Sequence, residues 1–130
     1  MHELNEKVEI INVIHPVSQS AGGSTSSEAI DLSRYDGIIF SLASGTVESG
    51  EKVILTAEES DDENMTEASE VVSAEITGDG TTVKNSAYVF VAADAVRKRY
   101  IRVKVNNTSA SAAVVLSVFA AARCARYPAE

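Results

Sequence analysis

The sequence predicts an all-β protein, a single antiparallel β-sandwich or jelly roll of about eight strands. Three observations predict it. Stretches of five to eight residues either alternate apolar with polar or are rich in β-branched residues. Turn signals made of Gly, Asp, Asn, Ser and Pro recur about every ten residues, the rhythm of a sandwich. No long stretch carries the 3.6-residue apolar period of a helix.

Taken in order, VEIINVI (8–14) is β-branched and is expected to end before Pro16. SQSAGGSTSS (18–27) is small and polar and reads as a flexible loop. EAIDL (28–32) reads as a short strand closed by a turn at SRYDG, and GIIFSLA (37–43) as a stronger strand. SGTVESGE (44–51), with two glycines, reads as a hairpin connection. KVILTAE (52–58) places Val53, Leu55 and Ala57 on one face. EVVSAEI (70–76) does the same with Val72, Ala74 and Ile76.

TGDGTT (77–82) carries an Asp-Gly step, a hairpin signal. SAYVFVA (86–92) is apolar on both faces and is expected to be central or sandwiched. AADAVRKR (92–99) is the one helical candidate, with Asp94 as its cap. A helix so short is marginal alone and serves here as a connector. YIRVKV (100–105) turns Ile101, Val103 and Val105 inward. AAVVLSVFAAA (112–122) is apolar on both faces, and a short polar tail (123–130) follows.

A chain of 130 residues makes one domain with a real core. With no Trp and few aromatics, that core must be built from Val, Ile, Leu and Ala. The formal charge is −8, and it is concentrated. EESDDENMTEASE (58–70) holds seven of the nineteen acids and none of the eleven bases. The acidic total argues against nucleic-acid binding, which needs a basic footprint. One cysteine, Cys124, excludes an internal disulfide and fits a reducing compartment. The N-terminus lacks a signal-peptide pattern. The longest apolar run, about 12 residues, is too short to span a bilayer as a helix. The expectation is a protein made in the cytoplasm, with no membrane partner.

Sites of known chemistry are missing from the pattern. His2 and His15 have no second ligand at zinc spacing. No serine sits in a G-x-S-x-G elbow, and SAGGSTSS lacks the lysine of a phosphate loop. The acidic segment fails as a calcium loop. From Asp62 the alternate positions are Asn64, Thr66 and Ala68, and no glycine makes the sharp turn. Neighbouring acids in a wet loop both stay ionised, so nothing separates them into acid and base. The expectation is no enzyme, no cofactor and no metal.

Three readings of the acidic segment remain: a solvated loop, a looser cation site, and a surface for a basic partner. RKRYIRVK (97–104) is its complement, with Arg97, Lys98, Arg99, Arg102 and Lys104. Its cations either guard a sheet edge or meet the acidic segment, within one chain or between subunits in a ring. Asp61, Asp62 and Glu63 with Arg99, Tyr100 and Arg102 are the expected contact residues.

The ordered series IDLSRYDGIIFSLASGTVESGEKVILTAEESDDENMTEASEV (30–71), then KRYIRVKV (98–105), then RYP (126–128), resembles small structural proteins encoded in the head-gene region of tailed bacteriophages and prophages. The matching positions are Tyr35, Gly45, Gly50, Glu59, Ser60, Asp61, Asp62, Arg99, Tyr100 and Arg102. The resemblance implies a virion component, a head accessory or capsid-decoration protein on the head surface. It further implies a β-rich homo-oligomer, with a trimer favoured, and the major capsid protein and other virion subunits as partners. A head-completion or tail component and a lectin-like β-sandwich module are the alternatives.

Overall fold

Among the described residues, backbone hydrogen bonding forms nine strands across two antiparallel sheets. A computed structural model describes residues 8–92 and 97–124. The strands are β1 (Val8–Gln19), β2 (Ser24–Ser26), β3 (Ile30–Asp31), β4 (Tyr35–Ser44), β5 (Lys52–Ser60), β6 (Ser69–Thr77), β7 (Asn85–Ala92), β8 (Tyr100–Asn107) and β9 (Val114–Cys124). A single 3-10 turn (Leu32–Arg34) precedes β4. Sheet A has the order β1-β9-β4-β7 and sheet B the order β2-β8-β5-β6, with β3 also on β8.

The pairings nest. β5 pairs with β6, β4 with β7, β2 and β3 with β8, and β1 with β9. That is one long antiparallel ribbon folded over itself, with β4–β9 and β5–β8 as the pairings made by the fold-over. The arrangement is the jelly-roll form of the β-sandwich. β2 and β3 share one strand position, so the sequence expectation of about eight strands holds.

The core lies between the sheets and follows the two-residue alternation. Val53, Leu55 and Ala57 of β5 and Ile101, Val103 and Val105 of β8 face it from sheet B, all fully buried. Ile38, Phe40 and Leu42 of β4 and Leu116, Val118 and Ala120 of β9 face it from sheet A. Burying each of the Val, Leu, Ile and Phe side chains among them stabilises by roughly 1.5–3 kcal/mol before entropy is charged against it.

Several local expectations fail, and for a shared reason. The segment 44–51 is no hairpin: it carries the chain from β4 in sheet A to β5 in sheet B. The Asp-Gly turn at 77–82 likewise crosses from β6 to β7. The two crossings lie side by side, joined by Gly78 N–H to the Glu51 carbonyl (2.8 Å) and Gly80 N–H to the Val47 carbonyl (2.9 Å). Turn chemistry fixes a change of direction, and strand pairing decides which sheet comes next. β1 runs through Pro16, because it is an edge strand where a missing N–H is tolerated. Register shifts between Asn12 and Val17 absorb the ring. Half of the expected loop 18–27 is strand, since β1 reaches Gln19 and Ser24–Ser26 pairs with β8. EAIDL yields only the two-residue β3, followed directly by the 3-10 turn.

The doubly apolar β7 is neither central nor sandwiched. It is the edge of sheet A, with Tyr88 and Phe90 68% and 55% exposed. Arg123 and Cys124, expected in the tail, complete β9. Residues 93–96 of the helical candidate, Asp94 among them, His2 and the RYP segment lie outside the described residues, while Arg97–Arg99 form no helix.

Candidate functional site

The acidic segment is the tip of the ribbon. Residues 61–68 link β5 to β6, the one connection among the described residues that joins sequential strands paired to each other. No glycine supplies its tight turn. Met65 (φ 60°) and Glu67 (φ 54°) take the left-handed backbone conformation instead. That conformation costs about 1–2 kcal/mol in a non-glycine residue, so surrounding contacts must enforce it.

Those contacts are visible. The Ser60 hydroxyl is buried; it donates to the Thr66 carbonyl (2.7 Å) and accepts from the Asp62 N–H (3.1 Å). Met65 N–H donates to the Asp62 carbonyl (2.8 Å), and the Met65 side chain is buried. The Asp62 carboxylate accepts from the Thr66 hydroxyl and the Asn64 N–H. These bonds, the Thr66 hydroxyl foremost, hold its carboxyl below the usual range. Asp61 and Glu63 stay exposed to solvent.

The basic segment lies alongside, because β8 pairs with β5. Glu58 stands opposite Arg102 in the register, and Arg102 Nε reaches Glu58 Oε1 at 2.9 Å. Glu59 Oε1 accepts the Lys98 N–H at 3.0 Å and lies 3.7 Å from Arg97 Nε. Arg99 grips Asp31 with two bonds, from Nε at 3.2 Å and Nη2 at 2.9 Å. Such a fork is the strong form of the ion pair. Arg99 therefore holds the Asp31 carboxyl far below its ordinary range, with Ser33 assisting. Asp31 in turn raises the Arg99 guanidinium. Arg99 also lies over the Tyr100 ring, 5.2 Å from its centre.

Together these parts border an open, polar groove of about 510 Å³. Glu28, Asp31, Glu63, Tyr100 and Arg102 line it. The expected contact residues thus form one surface: Asp61, Asp62 and Glu63 on the tip, Tyr100 and Arg102 in the groove, and Arg99 at its rim through Asp31. The expected charge pairing occurs within the chain, but through Glu58 and Glu59 of β5. Among the described residues, Asp61, Asp62 and Glu63 enter no ion pair. Among those same residues, no group of three or more His, Cys, Asp or Glu is placed to hold a metal ion.

Two features were not foreseen. Asp31 joins the site because β3 pairs with β8, a long-range event with no local signal. The other is the outer face of sheet A. One row crosses it from edge to edge as Ile10, Ala121, Ile39 and Phe90. The next row reads Asn12, Phe119, Ser41 and Tyr88. Its signal was the double-sided apolarity of 86–92 and 112–122, which local reasoning assigns to burial.

No protein-family model matches this chain, and no curated protein matches it in sequence. Solved structures do match in fold. The PBSX exported protein XepA superposes with a TM-score of 0.64 at 16% identity, over 98% of this chain. This chain spans only 40% of that XepA chain. The PRD1 vertex protein P5 gives 0.55 at 8% identity, covering 92% of this chain and 97% of that one. A CBM4 structure gives 0.56 at 8% identity, covering 89% and 86%. At these identities the shared property is the β-sandwich. Phage and viral proteins are among the chains that share it.

Proposed function

We propose that this chain is a non-enzymatic structural protein of a tailed-bacteriophage virion, a head accessory protein that binds and stabilises the major-capsid lattice. The observation that carries this reading is a convergence. Glu59, Ser60, Asp61 and Asp62 lie some forty residues from Arg99, Tyr100 and Arg102 in sequence. These are seven of the ten matching positions of the resemblance to phage head proteins, and the pairing of β5 with β8 brings them together around the tip and the groove beside it. The fold it shares with XepA and with the PRD1 vertex protein supports the same class.

The roles divide by exposure. Ser60 and Asp62 shape the tip, and Glu58 and Glu59 fix the basic segment beside it. Asp61 and Glu63 offer charge to a basic surface on the capsid. Each contact is weak, and many copies on one lattice sum through avidity. The protein works as a homo-oligomer on the head surface, after synthesis in the host cytoplasm. The test is co-sedimentation with expanded phage heads at low salt. The native protein is expected to pellet with heads and to release as salt rises. Asp61→Lys with Glu63→Lys is expected to weaken pelleting. A native protein that stays in the supernatant at low salt overturns the reading.

The exposed aromatic pair Tyr88 and Phe90 favours a second reading, a lectin-like module. A glycan array with no hits retires it.

A further inference from the structure

The outer face of sheet A is unusual for a surface meant to stay in water. Ile10, Tyr88, Phe90 and Val115 are 65%, 68%, 55% and 60% exposed, and Ile39 and Phe119 are about two-fifths exposed. Together these six side chains expose on the order of 600 Å², at the top of what an ordinary monomer leaves in one apolar patch. Each partner in a standard interface contributes roughly 800 Å², so this face nearly supplies one side of it.

We propose that the outer face of sheet A binds the same face of a second copy of this chain, in a two-fold stack whose axis runs along the strands between β4 and β9. This rests on the homo-oligomer part of the reading above and assigns it a surface and a stoichiometry. The register shows why the face fits itself. The rotation exchanges β4 with β9 and β1 with β7 while leaving each row at its own level. Phe119 then meets Ser41 of the second copy, and Ile39 meets its Ala121. Each bulky side chain of the central strands lies opposite a small one. At the margins Ile10 meets Phe90, apolar on apolar. Strands of the two sheets stay aligned, a common way for sheets to stack.

Charge agrees with shape. At one end of the face, Arg123 pairs with Gly37 across the β4–β9 register, and Asp36 is next to Gly37. Within the chain Arg123 and Asp36 reach only 3.9 Å, and both are about half exposed. Gly37 has no side chain, and the Phe90 ring leans over it, about 3.1 Å from where a Cβ would stand. The rotation lays Arg123 across Gly37 of the second copy, beside its Asp36. Both ends of each charge pair then gain a second partner. An isologous face of this kind closes at two subunits.

The experiment is sedimentation equilibrium on the full chain. The native protein is expected at twice its monomer mass. Ile39→Lys, at an exposed position in the centre of the face, is expected at monomer mass with an unchanged circular-dichroism spectrum. The decisive arm mixes two single variants. Arg123→Asp alone and Asp36→Arg alone each set like charges against each other in a self-pair, and each is expected to be monomeric. Mixed in equal amounts, each supplies the charge the other lacks, and a mixed dimer is expected. A native monomer or trimer overturns the proposal, and so does a mixture that stays monomeric. Binding of the native protein to heads separates the two readings: a native protein that pellets with heads yet sediments as a monomer in solution sinks this proposal and leaves the virion role standing.

Discussion

Replacing Asn107 with alanine removes the amide that ties three parts of the chain together. Asn107 is fully buried at the end of β8. Its side-chain nitrogen shares two hydrogens among the carbonyls of Ala112 (2.9 Å), Gln19 (3.2 Å) and Ser20 (3.3 Å). Its oxygen accepts the Ser109 N–H at 3.1 Å. The end of β1, the turn into β2 and the β8–β9 connection all depend on this one group.

The two best of these bonds, to the Ala112 carbonyl and from the Ser109 N–H, each contribute about 1 kcal/mol net. Their loss also strands a buried N–H and a buried carbonyl, at roughly 1–3 kcal/mol for the worse of the two. The expected total is about 3 kcal/mol, a large share of the 5–15 kcal/mol typical of a domain. With a urea slope near 1.5 kcal/mol per molar, the midpoint falls by about 2 M. The assay is urea unfolding followed by far-ultraviolet circular dichroism, with Asn106→Ala as the control on the neighbouring, partly exposed position. A loss below about 1 kcal/mol, no larger than the control, refutes the claim that this amide network organises that end of the sandwich.

Ser60→Ala is expected to cost about 1–2 kcal/mol and to speed amide exchange across residues 61–67, because the tip loses both bonds of that hydroxyl. Gly78→Ala is expected to lower the urea midpoint more than any exposed substitution: a Cβ there would collide with the Glu48 and Val47 carbonyls of the neighbouring crossing, and backbone cannot swing away. Asp31, Asp62 and Asp79 all have carboxyls held below their ordinary range by hydrogen bonds, from Arg99 first, Thr66 first and Thr82 first respectively. Their stabilisation is therefore complete above the unfolded value near 3.9 and is lost as pH falls toward the folded values. Unfolding midpoints at pH 5 and pH 3 check this, and Asp31→Asn is expected to flatten part of the difference.

What local sequence determined is most visible in β5 and β8. Val53, Leu55 and Ala57, and Ile101, Val103 and Val105, alternate in the sequence and are buried as that alternation requires. A strand's period is a local property, so it is written locally. The concentration of charge at 58–70 is local in the same sense, and so is the absence of a calcium pattern there. The sandwich class itself followed from short strands and frequent turns.

Partnership is another matter. Whether 44–51 and 77–82 turn a hairpin or cross between sheets depends on strands far away, and glycine permits both. Whether SAYVFVA is a core strand or an edge with bare aromatics depends on what lies on its outer side, and nothing in its residues states that. Asp31 meets Arg99, 68 positions further along the chain, because β3 pairs with β8. The tip makes the contrast plain. Its sequence announced acidity, and only the fold showed that Glu58 and Glu59 neutralise Arg102 and Arg97 while Asp61 and Glu63 face outward. Composition sets which charges exist. The register between β5 and β8, enforced by burying one face of each strand, sets which of them meet.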